Sequence, residues 1–487
     1  MTNLINGVWE VVIGLEVHAQ ISSASKLFSG SAVDGDDGAN TRVNFFDAGM
    51  PGMLPVVNSY CIDQAIRTGF GIHGKINKIS VFDRKNYFYP DLPSGYQISQ
   101  FYYPIVTGGY VDVQVQGEES RINITRIHME QDAGKNIHDL DPKRSYVDLN
   151  RSGIALMEIV SEPDMRSVEQ AVTFAKKLHT LVQYLGTCDG NMEKGNFRVD
   201  ANISVHKPGT PFGTRVEIKN LNSFKFMQNA LTYEIGRQID LIEGGGKIVQ
   251  ETRMYDPVQG VTTTMRDKED ANDYRYFADP DLPPLVLTDE RIEAIKRGMP
   301  ELPDEKRKRF MEEFGLSEYD ADILSNDRLV GEFYEAAISS GVFKDRKGAY
   351  KLVANWIIGE LFAAMKEDSV AIADLQLHPG ELANLVALIQ DGTISGKIAK
   401  TVFEHMWKNP REGARQIVEK MGLKQISDED VIRPVIQDIL ARNEALVADF
   451  RGGKESVFGF FVGQTMKHFK GQANPEVVNA LLNEALK

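Results

Sequence analysis

Over residues 1 to about 290 the apolar positions recur every second residue in short runs, and clusters of Gly, Pro, Asn and Asp separate the runs. This period predicts strands over Val12–Gln20, Tyr110–Gln116, Arg121–Glu130, Arg198–Val205 and Arg215–Asn220. One segment keeps a different period. Val168, Val172, Ala175, Leu178, Val182 and Leu185 fall at helical spacing, with Ser167 and Gln170 placed for a capping box and Gly186 for a stop. Strands outnumber helices and do not alternate with them, which predicts an α+β layer with a mostly antiparallel sheet. At Met299-Pro300-Glu301-Leu302-Pro303-Asp304 the texture changes: the prolines and a helix N-cap at Asp304 mark a boundary, and everything beyond reads as helical. Asn409-Pro410 breaks the pattern again after a helix around Ile398–Met406, and a Gly/Pro-punctuated stretch from Gly463 to Pro475 lies near the end. The expected modules are a sheet-based body (1–295), a helical domain (296–408) and a small helical tail (409–487), with no internal repeat.

The same alternation sorts chemistry onto faces, because residues two apart on a strand point the same way. Glu16, His18 and Gln20 share a face against Leu15, Val17 and Ala19, and His128 and Glu130 oppose Ile127 and Met129. Arg198, Asp200 and Asn202 face away from Val199, Ala201 and Ile203, and Glu217 and Lys219 away from Val216 and Ile218. A sheet with one face in water alternates in this way too. The residue choice argues for more, since solvated strands favour Thr, Lys and Ser, whereas these faces carry Glu, His, Asp, Asn and Arg. Carboxylates brought together repel unless a cation intervenes, and oxygen ligands with one imidazole suit Mg²⁺ or Mn²⁺. Mg²⁺ on a few carboxylates is a common way to present ATP phosphates.

No standard phosphate loop accompanies these faces. Gly244-Gly245-Gly246-Lys247 lacks the spacing and the Ser/Thr of a Walker motif and reads as a turn. Phosphates would instead be gripped by side chains, with Arg84, Lys85, Arg198 and Lys219 as candidates. The stretch from Asp83 to Gln100 is dense in aromatic, amide and basic groups and holds two prolines, a composition suited to a rigid binding loop.

Composition changes this picture little. The 487 residues are 42% hydrophobic and 25% charged, with net charge −14. An acidic chain argues against indiscriminate nucleic-acid binding, although residues 397–487 are slightly basic. No apolar run approaches a membrane span, the N-terminal stretch lacks the pattern of a signal peptide, and Cys61 and Cys188 are the only cysteines. The expected compartment is the cytoplasm, with no disulfide framework.

Longer motifs then point to a family. GLEVHAQ (14–20), GMPGMLPVVN (49–58), DRKNYFYPDLPSGYQISQ (83–100) and IHMEQDAGK (127–135) resemble the B subunit of the aspartyl/glutamyl-tRNA amidotransferases. So do DLNRSGIALMEIVSEPD (148–164), GNMEKGNFRVDANISV (190–205), VEIKNLNSF (216–224), DYRYFADPDLPPL (273–285) and, in the tail, GQTMKHFKGQANPEVVNALL (463–482). The resemblance covers nearly the whole chain. It implies a cradle domain with a kinase-like site, a helical domain and a tail domain that helps hold tRNA. It also implies an enzyme component that uses ATP and Mg²⁺ to phosphorylate the side-chain carboxylate of Glu-tRNA(Gln) or Asp-tRNA(Asn). Ammonia from a glutaminase (amidase-type) A subunit then completes the amide, and a small C subunit makes the assembly a heterotrimer. The family's catalytic and metal residues fall on Glu16, His18, Glu130 and Glu217, with Asp200 and Asn202 as neighbours of metal or nucleotide.

Two departures stand out. Where members usually carry paired glutamates, this chain has Glu130-Gln131. Where many carry two cysteine pairs, it has Ser29, Ser31, Asn44 and Asp47, so no zinc is expected. Nothing resembles a glutaminase, so ammonia is expected from a partner. In the last part of the chain Lys397 and Lys400, and Lys467 and Lys470, form basic pairs at helical spacing that could meet tRNA phosphates. The competing reading is a non-catalytic tRNA-binding scaffold, and a weaker third is a self-contained amide ligase using free ammonia.

Overall fold

The computed structural model describes residues 5, 7–35, 38–138, 140–141, 143–267, 273–423, 426–469 and 471–486. It divides into two compact units, residues 1–300 and 301–487. The fold is α+β: a sheet-based first unit and an all-helical second one.

The first unit is built on a ten-stranded sheet. From one edge its main path runs Val261–Asp267, Glu251–Asp256, Val216–Lys219, Phe197–His206, Glu10–Gln20, Ala155–Ser161, Glu118–Gln131, Val106–Thr107 and Lys75–Ile76, and Tyr110–Val115 pairs with Glu118–Gln131. Every pairing is antiparallel except that of Val216–Lys219 with Glu251–Asp256. The long Glu10–Gln20 strand lies at the centre, where Val17 stands opposite both Ile159 and Val199. Leu15, Val17, Ala19, Ile127, Met129, Ile159, Val199, Ala201, Ile203, Val216 and Ile218 are all buried on one face. The helices Ser59–Gly71, Val168–Tyr184 and Phe224–Glu243 pack on sheet strands. Burial of such side chains is worth roughly 25 cal/mol per Å² of apolar area, which locks the register and leaves the polar face no freedom to exchange with the apolar one.

Two helix ends differ in detail from the sequence reading. Ser167 caps Val168–Tyr184 through the Gln170 N–H, but the Gln170 side chain accepts the Arg166 N–H (2.7 Å) instead of closing the box on Ser167. Asp304 is not an N-cap. The helix Pro303–Phe314 begins two residues earlier than that cap implies, because proline's fixed φ and missing N–H suit a first helical position, and Leu302 occupies the cap.

The second unit has two separate cores. One is formed along residues 310–418 and includes Tyr334, Trp356, Val386 and Phe403. The helix after Asn409-Pro410, Ala414–Lys420, buries Ala414, Ile417 and Val418 in it. The other gathers Ile432, Ile436, Phe461, Val478 and Leu482. No helix among the described residues is long and apolar enough to cross a membrane.

Candidate functional site

The polar face of the sheet brings distant segments into one row. Register sets His18 opposite Glu158 on one neighbour and Arg198 on the other, and Glu158 opposite His128. Glu130, two residues past His128, falls on the same side. His18 Nε2 stands 3.6 Å from both Glu130 Oε1 and Glu158 Oε2, and His128 Nε2 lies 2.9 Å from Glu158 Oε2. One ligand atom from each of His18, Glu130 and Glu158 falls within 4.8 Å of the others. Ligand atoms spaced in this way can share one ion with bonds of roughly 2.1 Å, and the donor set of two carboxylates and an imidazole fits Mg²⁺ or Mn²⁺.

Electrostatics agree with a site built for a cation. Burial disfavours a charged His18, yet the Glu158 carboxylate, with Glu130 and Asp200 beyond it, outweighs that and pushes its pKa up to about 9. Burial would raise Glu158, but His128 and His18 hold it well below the ordinary carboxylate range. Arg126 Nε donates to His128 Nδ1 at 3.3 Å, so the ring proton belongs on Nε2, where it serves Glu158. Arg126 and His128 thus orient Glu158, as outer partners orient metal ligands elsewhere.

A second cluster adjoins the first. Asn202 Nδ2 donates to Glu16 Oε1 (2.9 Å), and Lys219 Nζ bridges Asp200 (2.7 Å) and Glu217 (2.8 Å). Thr252 donates to Glu217 at 2.8 Å. Burial, then the nearby Glu158, raises the pKa of Glu16. Burial works against a charged Lys219, but Asp200 and Glu217 hold its pKa well above the usual lysine value. Beside Glu16 opens a cavity of about 300 Å³ lined by Val12, Gly14, Val160, Pro163, Phe212 and Arg215, among others. Gly213 lies so close to the Val205 carbonyl that a Cβ would sit 2.2 Å from its oxygen, and this tight approach seats Phe212 at the cavity.

Of the four metal candidates chosen from sequence, the structure places His18 and Glu130 in one group, with Glu16 and Glu217 in the neighbouring cluster. Glu158 and His128 complete the group, and neither is among the four. His128 shares the Glu130 face in the strand pattern, which is a signal that could have found it. Glu158 lies in a run too apolar to read as a two-faced strand. Gln131 falls on the opposite face from Glu130, and its carbonyl accepts from Gln97 (2.8 Å).

The cation candidates part company. Arg198 pairs with Asp132 at 3.3 Å. Arg84 is held by Asp279 (2.9 Å) and Asp281 (2.8 Å), while Lys85 lies over the Tyr274 ring. Lys397 and Lys467 are exposed, Lys400 pairs with Glu360, and Lys470 lies outside the described residues. Among Ser29, Ser31, Asn44 and Asp47, Ser29 donates to Asp47 (2.8 Å), Ser31 N–H to Ser29, and Asn44 N–H to Asp47 (3.1 Å). The cation in this group is the fully buried Lys26 ammonium, 3.2 Å from Asp47.

Comparison with known proteins matches the sequence of this chain to a family. Residues 11–293 match the GatB/GatE catalytic domain, and residues 333–486 match the GatB domain. The B subunit of the aspartyl/glutamyl-tRNA(Asn/Gln) amidotransferase of Hydrogenovibrio crunogenus is 55% identical over 98% of this chain and all of its own length. The chain belongs to this family of amidotransferase B subunits. Proteins of the same name from Rickettsia bellii and Rickettsia conorii are 52% and 53% identical, each over 99% of this chain and 98% of their own. The family's catalytic domain thus spans every residue of the two clusters, from Glu16 to Thr252.

Proposed function

We propose that this amidotransferase chain uses ATP to activate the side-chain carboxylate of Glu-tRNA(Gln) and/or Asp-tRNA(Asn). The carboxylate attacks the terminal phosphoryl group, ADP leaves, and ammonia then displaces inorganic phosphate to give the amide. Activation is required because hydroxide is a poor leaving group and phosphate a good one.

The observation that carries this reading is the convergence of His18, Glu130 and Glu158 from three strands. These residues would hold Mg²⁺. The ion, when bound, neutralises the phosphates and steadies the charge that builds on them. Asn202 orients Glu16 at the mouth of the adjoining cavity, and the apolar walls around Phe212 suit a planar base, with Arg215 among the polar residues lining it. Lys219 bridges Asp200 and Glu217 and fixes both beside the metal group.

Ammonia comes from a glutaminase partner in this reading, within a cytoplasmic assembly of three different chains. Both cysteines are buried, and burial pushes the Cys61 thiol up to about 11 and the Cys188 thiol up to about 12. Neither offers the thiolate a thiol glutaminase would use at neutral pH. A scaffold that merely positions tRNA has no need of the metal group, which favours the enzyme over that alternative.

The test is phosphate release from ATP by the assembled complex with mischarged tRNA. Glu158→Gln is expected to lower both phosphate release and amidation by at least about a hundredfold. Unchanged rates in that variant, or wild-type amidation that proceeds without ATP, contradict the proposal.

A further inference from the structure

We propose that Lys85 receives the side-chain carboxylate of the aminoacyl group and so separates the acid-bearing tRNA from its amide product. This rests on the function proposed above and names a specificity residue within it. Two adjacent cations have different surroundings. On the strand Asp83–Asn86, successive residues point to opposite faces, so Arg84 and Lys85 part. Arg84 lies with its guanidinium 4.1 Å above the Tyr96 ring, held by Asp279 and Asp281, and its charge is neutralised there.

Lys85 stands directly opposite Gln97, and cross-strand partners share a face. Gln97 Nε2 reaches the carbonyl of Gln131, the residue after Glu130. Lys85 therefore points to the side of this small sheet that meets the end of the Glu118–Gln131 strand, where the metal group lies. Its ammonium sits 4.8 Å from the Tyr274 ring centre and 5.8 Å from that of Tyr87. Burial, together with the Glu130 carboxylate, raises the pKa of both the Tyr87 and Tyr276 phenols, and Glu158 adds to the effect on Tyr276. These rings thus form a wall beside the metal ligands.

The chemistry asks for one more cation. An anionic carboxylate must come close to an anionic triphosphate beside Glu130 and Glu158. Most other cations near the two clusters already have acidic or ring partners: Lys219 is paired with Asp200 and Glu217, Arg198 and Arg151 with Asp132, and Arg126 donates to His128, while Arg215 lies apart at the cavity beside Glu16. Lys85 forms no ion pair among the described residues, and ring faces are its partners. A ring quadrupole steadies an ammonium without neutralising it, so a charge-assisted hydrogen bond to an incoming carboxylate remains to be made. An amide in the same place makes only the weaker bond.

Equilibrium binding of Glu-tRNA(Gln) and Gln-tRNA(Gln) to the assembled complex, without nucleotide, tests the assignment, and the KM for ATP is measured alongside. Wild type is expected to favour the acid-bearing tRNA by about tenfold. Lys85→Gln should bring the ratio close to one and leave the KM for ATP within about twofold, with Lys85→Arg retaining part of the preference. A wild type without preference overturns the proposal, as does an unchanged ratio in Lys85→Gln. A KM for ATP that rises about tenfold while the ratio stands also overturns it, because Lys85 then grips phosphate. None of these outcomes touches the proposed function, which is tested separately by the ATP dependence of wild-type amidation and by the Glu158→Gln rates.

Discussion

His18 carries the most information of any single residue. With its pKa raised from 6.5 to about 9, the imidazole contributes stability that is fully present below pH 6.5 and is lost as pH rises through about 9. The metal-free protein should therefore melt at falling temperature between pH 6.5 and 9, by an amount worth about 3 kcal/mol at most, and His18→Gln should flatten that slope. Divalent metal must displace the same proton, so metal affinity should climb over the same interval; calorimetry at several pH values reads both effects. His128 acts through Glu158. His128→Asn is expected to weaken metal binding by about 10- to 100-fold without removing a ligand, and an unchanged affinity would detach His128 from the site. Glu16, His18 and Glu130 were legible in the sequence because polar and apolar residues alternate around them. Glu158 was not, because Leu156 and Val160 share its face and erase the alternation. Its role depends on standing between His18 and His128, a fact of strand order that no local pattern encodes.

Among the elements, the central strand Glu10–Gln20 and the strand Phe197–His206 are legible from sequence close to their observed bounds. Period two is strong where one face is buried and the other carries charge. What remained hidden was pairing: Glu130 and Glu217 lie on opposite sides of the central strand, and only the antiparallel order shows which of them meets His18. The turn region from Lys26 to Asp47 makes its own prediction. Lys26 and Asp47 are fully buried, and burial lowers the lysine pKa while Asp47 opposes the shift. Lys26→Met should cost about 3–5 kcal/mol, because it strands a buried carboxylate. Denaturant unfolding measures this, and a loss below about 1 kcal/mol would show that water or backbone donors satisfy Asp47 alone.

Across the whole molecule, charge is unevenly spread: the net charge is −14, yet residues 397–487 are slightly basic. An acidic chain offers an RNA few local cationic contacts, so under the proposed function the salt dependence of tRNA affinity should be shallow. Lys397→Ala and Lys467→Ala are each expected to reduce the slope of log K against log salt by about one if the lysine meets a phosphate, with catalysis on saturating tRNA unchanged. A slope identical to wild type would assign these lysines to solvent. The change from sheet to helices near Pro300 was legible because proline punctuates it. The division of the helical part into two cores was less so, since Ala414–Lys420 follows a Pro break yet packs with the helices before it.

One ion held by three strands underlies the proposed chemistry, and electron paramagnetic resonance of Mn²⁺ bound to the protein with ATP tests it most directly. The expected result is a single tight site per chain whose spectrum carries nitrogen coupling from one imidazole. His18→Gln should abolish that coupling, and Glu158→Gln should weaken binding by at least about tenfold, more than Glu217→Gln does. Mn²⁺ bound equally well by the wild type, His18→Gln and Glu158→Gln would contradict it.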